Sequence, residues 1–153
     1  MKLNLTKEEH IVHAKSNRAR KKPGGVVVDG REEAMDVKLL GITVNRNYKF
    51  TKHVSKVISA ANYRLSHMAK LSSYIPDEQL KQATQALALS VLNWGAELAA
   101  RDQASIRRLQ RTQNVALRIM TRSSRRKSVR IMLQQTKLLN MYQPWQEAKG
   151  RFH

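Results

Sequence analysis

The chain has 153 residues, of which 29 are Lys or Arg and 11 are Asp or Glu, giving a formal charge of +18. Such an excess repels itself unless a polyanion neutralises it, so nucleic acid is the leading partner class and an anionic membrane surface the second. Cysteine is absent, which excludes disulfides and thiolate metal sites, and no apolar run approaches the ~20 residues of a spanning helix.

The first 50 residues read as β-rich. Ile11–Val12 and Val26–Val27–Val28 are short apolar runs, separated by the charged stretch Lys15–Lys22 and by Pro23–Gly24–Gly25. Asp29–Gly30 is a turn signal. Residues 37–44 are expected to form the best strand, with Gly41 marking a bulge or a close backbone approach.

From Thr51 the period becomes helical. Thr51 is placed to cap a first helix on which Val54, Val57, Ile58, Ala61, Leu65 and Met68 follow a three/four spacing. Pro76–Asp77 opens a second helix with Asp77 as N-cap. Its expected core row is Leu80, Thr84, Leu87, Val91, Trp94 and Leu98, and Trp94 is read as core. A third helix starts at Asp102 or Ser105. Residues 125–135 can form a fourth and residues 140–153 a short last one. These segments give an α+β chain of two parts: a β-rich region at 1–49 and a bundle of three to five helices at 50–153.

Residues 101–130 hold ten of the Lys and Arg residues against one acid, Asp102. At about 100° per residue, Ile106, Leu109, Ala116, Leu117, Ile119 and Met120 share a broad face. Arg107, Arg111, Arg118 and Arg122 fall within about 60° of one another on the opposite side. One face can pack on a core while the other meets phosphates; a merely solvated basic face is the bland alternative. Arg125, Arg126 and Lys127 extend the basic run.

Catalytic signals are weak. His10 and His13 point to opposite sides of an expected strand, and no carboxylates join them at ligand spacing, so no metal site is expected. His53 and His67 read as surface or interface residues on the first helix. Asp29, Glu32, Glu33 and Asp36 cluster in a loop without a partner motif. Gly24–Gly25 is a turn rather than a phosphate loop, and no Ser/His/Asp order is credible. With aromatics at 5%, binding should rest on backbone electrostatics with little base readout.

The order of segments resembles one family. MKLNLTKEEHIV is similar to motif D of non-LTR retrotransposon reverse transcriptases, "lklNlsKTE", with Asn4 and Lys7 in place and Glu8 where threonine is usual. VKLLGITVNRNYKFTKHV, residues 37–54, resembles motif E, with Leu40, Gly41, Phe50 and His53 matching. Residues 58–76 look like the first thumb helix, and SVLNWGAEL, residues 90–98, like a segment "..l.YGaevw" with Trp94 at the tyrosine position. IRRLQRTQNVALRIMTRSSRR, residues 106–126, is similar to "l.klQ..qNkalRiitg..r", through Gln113, Asn114, Ala116 and Arg118.

This resemblance implies the end of a palm followed by a thumb, from an RNA-directed DNA polymerase. The chain carries no Asp-Asp pair to hold Mg²⁺, so the resemblance implies no cofactor of its own and no catalysis alone. It further implies that Lys7 corresponds to the motif D lysine, which would protonate pyrophosphate. Leu40–Gly41 would correspond to the primer-grip turn, and the thumb helices would hold a template–primer duplex. A stand-alone basic RNA- or DNA-binding adaptor is the alternative. A membrane-binding bundle is disfavoured, because the arginines face away from large apolar residues. The expected location is intracellular, nuclear or cytoplasmic.

Overall fold

The computed structural model describes residues 36–45, 50–94, 96 and 102–141. Lys7, His10, His13, the apolar runs before residue 29 and the tail beyond Met141 lie outside them, as do Asp29, Glu32 and Glu33. Among the described residues the architecture is α+β: a two-stranded antiparallel sheet, then four helices. The chain divides into two units, Met1–His53 and Val54–His153.

In the first unit, β1 (Asp36–Leu39) pairs with β2 (Ile42–Asn45), with Leu39 opposite Ile42. The expected single strand is therefore a hairpin. Leu40 and Gly41 form its two-residue loop, with φ of 49° and 83°. A type I′ turn needs positive φ at both central positions, because only that twist matches the strands. Glycine adopts it freely and leucine does not, so the Leu-Gly dipeptide disguised the turn. Asp36 closes the open end: its carboxylate accepts from Asn45 Nδ2 at 3.0 Å and pairs with Lys52.

The second unit is the helical bundle. Helix α1 (Thr51–Leu71) takes in Thr51 as its first residue, where the sequence placed it as the cap, and straddles the division between the units. Val54, Val57, Ala61, Leu65 and Met68 are buried along it and Ile58 partly so, as the spacing requires. Helix α3 (Gln103–Met120) is capped by Asp102, whose carboxylate accepts from the backbone N–H groups of Ala104 and Ser105, each at 3.2 Å. Helix α4 (Val129–Thr136) buries Met132 and Thr136.

Helix α2 departs from expectation. It runs through Asp77–Thr84, a π-helical turn at Gln85–Leu89, and Ser90–Asn93. Pro76, not Asp77, occupies its N-cap. A π turn inserts one residue into the α-helical count and shifts every later side chain around the axis. The buried row is accordingly Leu80, Thr84, Ala88, Leu89 and Leu92, while Leu87 and Trp94 are exposed, Trp94 by 57%. Trp94 is thus not a core residue. The widened turn frees carbonyls, and two side chains take them: Arg64 Nη1 donates to Leu87 O at 2.6 Å, and the Ser90 hydroxyl donates to Ala86 O.

The core joins α1, α2, α3 and α4 through Val54, Leu65, Leu92, Leu109, Leu117 and Met132. The segment after α4 is strapped to α3 by polar side chains. Gln113 Nε2 donates to Leu139 O at 2.8 Å, and Gln110 Oε1 accepts from Met141 N at 3.0 Å. Gln110 Nε2 in turn donates to Gln113 and Asn114.

Candidate nucleic-acid interface

The basic residues of α3 occupy three environments. Arg107 and Arg111 are exposed, one helical turn apart, and hold no hydrogen bond or ion pair among the described residues. Arg108, beside them, donates to Ser55 Oγ at 3.0 Å and ties α3 to α1. Arg118 is half-buried. Its Nη1 donates to Asn114 O at 3.1 Å, and its Nε is buried without a partner. From Arg107 to Arg118 the row extends about 16 Å along the helix. Nucleotides rise roughly 3.4 Å along one strand, so this length can follow several phosphates.

Arg122 lies beyond the helix and not on its stripe. Helix α3 stops at Met120 and closes in a Schellman motif: Ser123 N–H donates to Arg118 O at 3.0 Å and Arg122 N–H to Ile119 O at 3.3 Å. Arg122 takes the left-handed position with φ 45°, where glycine is usual. Lys137 repeats the arrangement after α4 with φ 56°, Leu138 N–H reaching Leu133 O at 3.2 Å. Basic residues at both helix ends complement the negative dipole end. Arg122 also links elements: its Nη2 donates to Ile75 O at 2.7 Å and its Nε pairs with Asp77 at 3.0 Å. The absence of glycine left this stop invisible to periodicity.

Arg118, Arg122 and Arg125 come together at the C-terminal end of α3. They line an open groove of about 770 Å³ with Ser72, Ser73 and Ser123 over an apolar floor of Ala69, Val115 and Ile119. Periodicity missed Ser72 and Ser73, which enter from the turn after α1; only the tertiary packing brings them there. Arg126 is exposed and Lys127 half-buried in the α3–α4 turn, followed by exposed Arg130.

Leu40 and Gly41 stand at the hairpin tip, Leu40 83% exposed. The motif-like Gln113 and Ala116 face inward at 4% and 0% exposure, so their visible role is packing and strapping. Tyr63 and His67 stack edge to face on the outside of α1, with centroids 4.6 Å apart. His53, expected at a surface or interface, is buried. Among the described residues no group of His, Asp or Glu could hold a metal ion, and no helix is long and apolar enough to cross a membrane.

Comparison with protein-family models, curated proteins and solved structures returned no match.

Proposed function

We propose that this chain binds nucleic acid through phosphate contacts from α3 and the α3–α4 turn, as the thumb-like part of an RNA-directed DNA polymerase of the non-LTR retrotransposon type. The observation that carries the binding reading is the separation of faces on α3. Leu109, Ala116 and Leu117 are fully packed, while Arg107 and Arg111 stand in solvent with no ion pair among the described residues. A structural helix has no need of unpaired guanidinium groups in a chain already at +18, whereas a polyphosphate offsets them. The polymerase assignment rests on the ordered series of motif-like segments. It draws on the hairpin as well, since Leu40–Gly41 sit at a tight turn as a primer-gripping loop would.

As a proposal, the chain contributes positioning and not chemistry, because the Mg²⁺-binding Asp-Asp pair is not among its residues. Binding is tested by fluorescence anisotropy on labelled RNA–DNA hybrid and DNA duplexes of scrambled sequence. Roughly equal, salt-steep affinities support phosphate recognition; salt-independent or absent binding overturns it. The stand-alone adaptor is the second reading and shares the same surface. The coding DNA upstream of Met1 separates the two. An in-frame or frame-shifted Asp-Asp segment there supports the polymerase, and its absence favours the adaptor.

A further inference from the structure

The α3–α4 turn contains a serine whose surroundings differ from those of the other hydroxyls near it. We propose that Ser128 is a phosphoacceptor for a basophilic serine/threonine kinase, and that its phosphate weakens nucleic-acid binding by this turn. The second half rests on the nucleic-acid reading above; the first does not.

Four observations meet at Ser128. Arg125 and Arg126 precede it by three and two residues, and no other serine in the chain has arginine at both places. Both arginines are exposed and hold no bond among the described residues, so an acidic kinase cleft can take both guanidinium groups in charge-assisted pairs. Ser128 is itself exposed, with extended backbone at φ −61° and ψ 131°. Finally, it occupies the N-cap of α4 but makes no side-chain cap bond, which leaves the hydroxyl available.

The neighbouring hydroxyls are less suited. Thr121 Oγ1 donates to Leu117 O at 2.8 Å and lies 2.8 Å from Ser123 Oγ, and Ser123 Oγ is 3.1 Å from Thr121 O, so both hydroxyls are engaged. Ser124 is exposed, but Thr121 stands three residues before it.

The reaction takes Mg²⁺-bound ATP from the kinase as co-reactant. Ser128 Oγ attacks the γ-phosphorus and a new O–P bond forms. The bond to the β-phosphate oxygen breaks, ADP leaves, and the hydroxyl proton passes to the kinase base. The phosphoserine brings about −1.5 to −2 charges into the most basic stretch of the chain. It lies beside Arg125, Arg126 and Lys127 and next to the first N–H groups of α4. It therefore competes with nucleic-acid phosphates for the same cations while capping the helix.

The test begins with the full chain, ATP, Mg²⁺ and a purified kinase catalytic domain that selects arginine three and two residues before serine. Intact mass and peptide mapping are expected to show one phosphoryl group on Ser128. S128A should lose it, R125Q/R126Q should slow its transfer at least tenfold, and S123A/S124A should retain it. No transfer, or transfer mapped to Ser123 or Ser124, overturns the site. Anisotropy on a scrambled duplex then compares modified and unmodified protein. Affinity is expected to fall about tenfold, with a shallower salt slope. Stoichiometric phosphate on Ser128 with unchanged affinity overturns the switch and leaves the site standing. Unmodified protein that binds no nucleic acid counts instead against the binding reading, and the mass result still decides the site.

Discussion

Asp102 begins α3 and Arg122 ends it, and each holds its place by a different device. The Asp102 carboxylate takes two N–H donors and the Ser105 hydroxyl, the last at 2.6 Å. Asp102→Ala should cost about 0.5–2 kcal/mol, read as a lower urea midpoint with an unchanged slope. Lys137 spends backbone strain at the end of α4, where its φ is 56°. Lys137→Gly should stabilise the fold by about 1 kcal/mol, because glycine reaches that conformation without the Cβ clash. A thermal melt that falls would mean that the lysine side chain makes up for its own strain. Arg122→Gly removes the same strain together with the links to Ile75 and Asp77, so no comparable gain is expected there. These helix ends were only half legible in the sequence. Aspartate is a recognised start signal, whereas an arginine or lysine in the glycine position gives no warning.

At the scale of elements, α1 and α3 could be read from apolar spacing because they are unbroken α-helices. Helix α2 could be read as a helix but not in register. Its π turn at Gln85–Leu89 displaces the buried row from Leu87 to Ala88 and Leu89, and from Val91 to Leu92. Nothing in QALAL distinguishes a π turn from an α turn; packing and the donors Arg64 and Ser90 support it. Paired truncations separate the two registers. Leu92→Ala, at 0% exposure, should cost about 2–5 kcal/mol. Leu87→Ala, at 46% exposure, should stay within about 0.5 kcal/mol. Equal costs in denaturant titrations would restore the uninterrupted register. The hairpin was misread for a related reason: Leu40 at positive φ hides a turn that asparagine would announce. Leu40→Asn should therefore stabilise the hairpin, visible as slower exchange of the ladder amides of Ile42 and Val44.

Across the whole molecule, the apolar core belongs to the helical part of the chain, and on α3 it shares the helix with the basic face. The apolar cluster runs from Val54 to Met132, and the hairpin contributes none of its members. Residues 49–153 should accordingly fold alone, with a helical circular-dichroism spectrum and a cooperative melt; a two-stranded hairpin by itself is marginal. A featureless spectrum would show that the preceding residues are required. The candidate interface was legible as a basic helix face but not in its parts. Arg107 and Arg111 keep the expected exposure, Arg118 is half-buried and Arg122 leaves the helix. The groove lined by Arg118 and Arg122 depends on serines from the turn after α1.

The central claim is that exposed arginines on α3 hold phosphates, and Arg107 and Arg111 isolate it because they hold no bond within the described fold. The measurement is the dependence of duplex affinity on salt for the parent and for R107Q/R111Q, by anisotropy on one scrambled hybrid, with a melting curve for each protein. The account predicts unchanged melting, weaker binding, and a plot of log K against log salt flattened by roughly 0.7 to 0.9 for each lost contact. Equal slopes and affinities in two proteins that melt alike would contradict it, and the row would then be a solvated face.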